Sequence, residues 1–106
     1  MNQLPLHLPQ NKLITFCQRW QITELALFGS VLRADFQPDR SDIDVLVTFA
    51  PDTHWSLFDH VDMQAELATM FNRPVDLLTK RSVLRSPNYL RRQHILDSAQ
   101  VIYAIR

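Results

Sequence analysis

The chain has 106 residues, 46% hydrophobic and 21% charged, a balance that suits one globular domain with a modest core and leaves no room for a second. Eleven Lys and Arg offset eleven Asp and Glu, so the formal net charge is zero, which argues against the bulk attraction to nucleic acid of a strongly basic domain. Cys17 is the one cysteine, which excludes an internal disulfide and a Cys-rich zinc site; no run has signal-peptide or membrane-spanning length, so a cytoplasmic location without a membrane partner is expected.

An irregular arm, residues 1–8, opens a single domain expected to span 1–106. From Pro9 onward, Leu13, Phe16, Cys17 and Trp20 recur at i, i+3, i+4, i+7, the apolar stripe of an amphipathic helix. Cys17 lies on that stripe and reads as a core residue, not a nucleophile. Leu25-Ala26-Leu27-Phe28 is a short apolar strand that runs into Gly29-Ser30. Gly29 is the chain's one glycine, and a residue without Cβ at a strand end marks a tight turn or a close backbone approach to a ligand. Ser30 to Asp35 then reads as a short helix and Gln37 to Arg40 as a polar loop.

Residues 43–49, rich in β-branched side chains, form a central strand followed by a loop from Pro51 to His54. A second helix runs from about Ser56 to Phe71, with Ser56 as N-cap and Phe58, Val61, Ala65 and Ala68 as its expected inner stripe. Asn72 suits a left-handed position at its end, and Pro74 blocks continuation. Residues 74–78 form a third strand, residues 87–97 a last helix and residues 101–105 a final strand. The order α-β-(α)-β-α-β-α-β predicts an α/β (α+β) fold, a small mixed sheet of about four strands with helices packed on it.

Asp42 and Asp44 stand one residue apart at the start of a strand. Side chains alternate with period two, so both carboxylates point one way while Ile43 and Val45 point into the core. Their Cα atoms lie ~6.6 Å apart at ~3.3 Å per residue, close enough to converge on shared cations. Hard oxygen ligands favour Mg²⁺, two ions in the fullest case, or Mn²⁺. Asp-x-Asp alone is also common on solvated loops. Two further features agree with it: the Gly29-Ser30 turn, which can present backbone N–H groups to phosphates, and Asp76, an acid in the apolar strand Val75-Asp76-Leu77-Leu78. An edge-strand aspartate facing water is the alternative reading of Asp76.

Leu27-Phe28-Gly29-Ser30-Val31-Leu32-Arg33, Ser41-Asp42-Ile43-Asp44-Val45-Leu46-Val47 and Arg73-Pro74-Val75-Asp76-Leu77-Leu78 together resemble the DNA-polymerase-β-type nucleotidyltransferase superfamily. Within it the chain is most similar to the minimal nucleotidyltransferases (MNT), the antitoxin halves of HEPN/MNT toxin–antitoxin pairs. The resemblance implies a polymerase-β-like fold and a nucleoside triphosphate held through Gly29 and Ser30 at its β,γ-phosphates. It implies Asp42 and Asp44 as metal ligands, Asp76 as third ligand or base, and Arg33 as a partner of the triphosphate. It further implies transfer of AMP from ATP to a tyrosine hydroxyl of a HEPN ribonuclease toxin. Many relatives have Gly where this chain has Ala34 and Asn72, neither a position that supplies a catalytic group.

Two rival functions remain at this stage: a non-catalytic module that blocks the toxin by binding, and nucleotidyl transfer to a small molecule. His7, His54, His60 and His94 show no ligand spacing and read as ordinary histidines. Lys80-Arg81, Arg85 and Arg91-Arg92 read as solvated helix faces, with a nucleotide- or partner-facing patch as the alternative. Trp55 either caps the core or anchors another protein.

Overall fold

The computed structural model describes residues 8–29 and 42–105. Its elements in chain order are α1 (Gln10–Arg19), β1 (Ile22–Phe28), β2 (Ile43–Phe49), α2 (Leu57–Phe71), β3 (Val75–Thr79), α3 (Lys80–Leu84), α4 (Tyr89–Ser98) and β4 (Gln100–Ala104). The expected mixed four-stranded sheet is present, in the order β3-β2-β1-β4. β1 runs antiparallel to both β2 and β4, and β2 runs parallel to β3. The residue 30–35 helix and the residue 37–40 loop expected from sequence lie outside the described residues, as does most of the N-terminal arm.

Alternation along each strand feeds two apolar clusters, one on each face of the sheet. Ile43, Val45 and Val47 of β2, with Leu25 and Leu27 of β1, pack under α1 and α2 against Leu13, Phe16, Cys17, Met63 and Leu67. Ala26, Phe28 and Leu46 face the other way, toward Val83 of α3 and Ile95 of α4. The stripe predicted for α1 is the one observed. β1 starts three residues earlier than its apolar run, because the polar pair Thr23-Glu24 hides the buried Ile22 that begins it.

Helix α2 has the predicted ends and a different buried face. The Ser56 hydroxyl accepts a hydrogen bond from the Asp59 amide, the Asp59 carboxylate accepts one from the Ser56 amide, and Asn72 closes the helix at φ 56°. The inner stripe is Met63, Leu67 and Phe71, while Phe58 is 82% exposed and Val61 54%. The sequence reading had placed Phe58, Val61, Ala65 and Ala68 inside; of these only Ala68 packs against the core. Apolar residues occupy two faces of this helix, and periodicity alone does not say which one meets the sheet.

The short helix α3 was not foreseen, since five residues give no period to read. Its signal is the Thr79 hydroxyl, which caps it by accepting from the Ser82 amide. Trp55 caps the core: its ring meets that of Trp20 edge-on at 5.0 Å, and Nε1 donates to the Trp20 carbonyl at 3.0 Å. Glu66 ties α2 to α1 through an ion pair with Arg19 and a 2.7 Å hydrogen bond from Trp20 Nε1.

Candidate active site

The C-terminal end of β1 and the N-terminal ends of β2 and β3 meet at one end of the sheet. Strand register places Phe28 opposite Asp44, and Asp44 opposite Asp76. Registered partners on neighbouring strands share a face and lie ~4.8 Å apart, so Asp44 and Asp76 stand side by side on the α3–α4 face. The same alternation that buries Ile43 and Val45 beneath α1 and α2 turns Asp44 to this face. Asp42 precedes β2 by one residue and is exposed, as is Asp76; Asp44 is half-buried. The parallel β2–β3 pairing thus puts Asp44, the second acid of the Asp-x-Asp pair, beside Asp76.

Gly29 completes this end of the sheet. Its φ of +73° lies in the left-handed region that favours glycine. A Cβ added there would overlap the Asp44 carboxylate, with the Asp44 Cγ 3.2 Å away. The close approach expected at the chain's one glycine is therefore an approach to a carboxylate that the sequence reading had already singled out. Ser30 and Arg33 lie outside the described residues.

Asp76 sits on an edge strand, and α2 holds that edge in place. The Leu77 amide donates to Gln64 Oε1 at 3.0 Å, and His60 Nε2 donates to the Leu77 carbonyl at 2.9 Å. Both outward-facing backbone groups next to Asp76 are thereby satisfied, which fixes the strand and closes its edge to further pairing. The sequence reading missed these two positioning residues. Their i, i+4 spacing on a polar flank of the helix was the available signal, but its target lay thirteen residues or more away.

The acids offer oxygen donors only, the chemistry that Mg²⁺ or Mn²⁺ prefers. Among the described residues no group of three or more His, Cys, Asp or Glu side chains is placed to hold a metal ion. An open arrangement of carboxylates suits Mg²⁺, which keeps several waters and commonly binds through one or two carboxylates plus substrate phosphates. His54 and His94 are exposed, far in character from ligands, and His7 lies outside the described residues. Cys17 is fully buried, and burial pushes its thiol up to about 12, which rules it out as a thiolate nucleophile near neutrality.

Residues 11–102 match the nucleotidyltransferase domain family. Two proteins of Methanocaldococcus jannaschii assigned as protein adenylyltransferases are 32% identical over 65 residues and 34% identical over 74 residues. The first alignment spans 61% of this chain and 64% of the relative, just under two thirds of its length; the second spans 70% and 76%. Among solved structures, a chain of a toxin–antitoxin crystal structure with AMP-PNP superposes with a TM-score of 0.67 at 22% identity, over 93% of this chain and 76% of that one. A structure described as a minimal nucleotidyltransferase gives 0.64 at 26% identity, over 86% of both chains. A structure of tri-AMPylated Shewanella oneidensis HEPN toxin in complex with MNT antitoxin gives 0.60 at 22% identity, over 91% of this chain and 70% of that one. The family match runs from the second residue of α1 to the middle of β4 and so takes in both sheet faces and all three acids: the chain belongs to the nucleotidyltransferase domain family.

Proposed function

We propose that this nucleotidyltransferase is a protein adenylyltransferase acting as an antitoxin, which transfers AMP from ATP to a tyrosine hydroxyl of a HEPN toxin. The observation that carries the reading is the register of Asp44 with Asp76 beside the Gly29 turn. It gathers hard anionic ligands at the point where a backbone turn can meet phosphate. The names of the Methanocaldococcus jannaschii relatives support adenylyl transfer, and the Shewanella oneidensis complex supports a HEPN partner.

Asp42 and Asp44 hold the divalent cation, with Asp76 as a third ligand or as the base. Bound there, Mg²⁺ or Mn²⁺ supplies positive charge against that developing on the α-phosphate and the departing pyrophosphate. Gly29 and Ser30 hold the β,γ-phosphates through the turn, and Arg33 offsets their charge. The acceptor oxygen attacks the α-phosphorus, the bond from that phosphorus to the bridging oxygen breaks, and pyrophosphate leaves. Asp76 takes the hydroxyl proton. Positioning and preorganised charge do most of the work, because the protein itself forms no covalent bond.

The test uses the purified chain with a candidate HEPN protein encoded beside it, ATP and Mg²⁺, read by intact mass and by ribonuclease activity. AMP should appear on the toxin and its ribonuclease activity should fall. Asp42→Asn, Asp44→Asn and Asp76→Ala should each stop labelling while pull-down of the toxin persists. If Asp76→Ala still protects cells from the toxin with no nucleotide on it, the chain is a steric inhibitor. Undiminished labelling by Asp42→Asn and Asp44→Asn would sink the metal assignment.

A further inference from the structure

Helix α4 begins against the usual charge rule. The N-terminus of a helix is its positive end and favours acids, yet the first turn of α4 contains none and Arg91 and Arg92 follow at once. Among the described residues neither arginine has a carboxylate within ion-pair distance. Such a conflict between local preference and sequence commonly marks a site kept for binding rather than stability.

The two arginines line a cleft of about 230 Å³ between α3 and α4, with Ser82 and Ser86 on its walls and Leu78 and Ile95 at its base. Arg92 is held in place: its Nη1 donates to the Ser86 carbonyl at 2.9 Å and its guanidinium lies 5.4 Å from the Tyr89 ring centroid. That uses one of the N–H donors of a planar fork suited to oxyanions. The Ser86 hydroxyl accepts from the Asn88 amide at 3.3 Å, so its own proton is available to donate. Among the described residues no acid lines the cleft. Donors without a counter-charge among the described residues, at the positive end of a helix, select an anion.

The cleft also lies on the face of the sheet that carries the acids. Leu78 is two residues beyond Asp76 on β3, which puts it on the same side and ~6.6 Å along the strand. Its volume is below the ~300 Å³ at which pockets begin to enclose whole small molecules, and fits a single carboxylate or phosphate group. We infer that the α3–α4 cleft is an oxyanion subsite that takes an Asp or Glu side chain of the acceptor polypeptide and so anchors the acceptor beside Asp76. This rests on the reading above that the acceptor is a protein. A phosphate of the nucleotide is the other source of the same chemistry, but the phosphates are already engaged at the Gly29 turn in that reading.

The experiment follows the Arg91 and Arg92 Nε–H resonances of the isotope-labelled full chain during titration with hexaglutamate and, separately, with Mg²⁺ and a non-hydrolysable ATP analogue. Hexaglutamate should shift both resonances in a salt-sensitive way, and Arg91→Ala should weaken its binding about tenfold, the loss typical of one charge-assisted contact. The analogue should leave both unmoved. Shifts with the analogue, with or without hexaglutamate, would give the cleft to the nucleotide, and no shift with either would make it structural. In the transfer assay Arg91→Ala and Arg92→Lys should raise KM for the acceptor and leave kcat and KM for ATP unchanged. Because the titration needs no turnover, failure of adenylyl transfer and failure of the subsite are read separately. Arg91 is exposed and donates no side-chain hydrogen bond within the described residues, so its replacement leaves the fold intact.

Discussion

Two demands converge on Gly29, one from the backbone and one from a neighbour. Its left-handed φ costs a residue with Cβ about 1–2 kcal/mol, and that Cβ would also displace the Asp44 carboxylate. Gly29→Ala should therefore lower stability by about that amount in denaturant titrations and cut nucleotidyl transfer more than the stability loss explains. Wild-type stability and activity in this variant would show the turn to be incidental. The need for glycine was legible in the sequence; its contact with Asp44 was not, because a strand carries no local mark of which strand it will pair with. Cys17 gives a second prediction, on pH. Burial lifts its thiol from an ordinary value of 9.0 to about 12, and Tyr103 is raised too, by burial and by the nearby Cys17. Above the unfolded value the unfolded chain loses this proton while the folded chain keeps it. The unfolded state then binds fewer protons, so stability falls as pH rises from about 9 toward 12, by at most about 1.4 kcal/mol per unit for one group. Denaturation at about pH 8 and about pH 10 should show that decline, and Cys17→Ala should flatten it. An unchanged slope would mean that other groups carry the alkaline dependence.

Among the elements, α2 shows what a sequence pattern settles and what it leaves open. Its ends were readable because caps are local chemistry: Ser56 and Asp59 form a reciprocal pair across three residues, and Asn72 tolerates the left-handed turn. Its buried face was not, because Leu57, Phe58 and Val61 make as good an apolar stripe as Met63, Leu67 and Phe71. The choice is made by the sheet. The face carrying Met63 and Leu67 also brings His60 and Gln64 over the Leu77 backbone, satisfying an edge that the opposite face would leave bare. The two stripes should respond oppositely to mutation. Leu67→Ala, at a fully buried position, should cost about 2–5 kcal/mol, whereas Phe58→Lys should change stability by no more than about 0.5 kcal/mol. Chemical denaturation of both variants decides it, and a large loss in Phe58→Lys would mean that the wrong face has been placed outside.

For the whole molecule, the apolar core and the candidate site lie in different parts of the fold. Among the described residues no polar or charged side chain is buried, so the two apolar clusters on either side of the sheet carry the fold. The acids stand at the sheet's end, where Asp44 and Asp76 face one another across adjacent strands as like charges, a mildly unfavourable pairing. Without ligand, Asp76→Asn should thus raise Tm slightly, by about 1–3 °C, while ending transfer. Ligand should reverse the balance. A nucleotide–metal complex that binds only the folded chain stabilises it by about 2.7 kcal/mol at a hundred times its Kd, and a domain of this size gains about 4–8 °C per kcal/mol. Wild-type protein should accordingly melt roughly 10 °C or more higher with saturating Mg²⁺ and a non-hydrolysable ATP analogue, and EDTA should abolish most of that gain. The double variant Asp42→Asn/Asp44→Asn should lose that ligand-induced shift, since its core is untouched and the proposed cation ligands are gone. A full ligand-induced shift in the double variant would place the nucleotide and its cation elsewhere on the molecule, and with them the reading of this end of the sheet as the catalytic one.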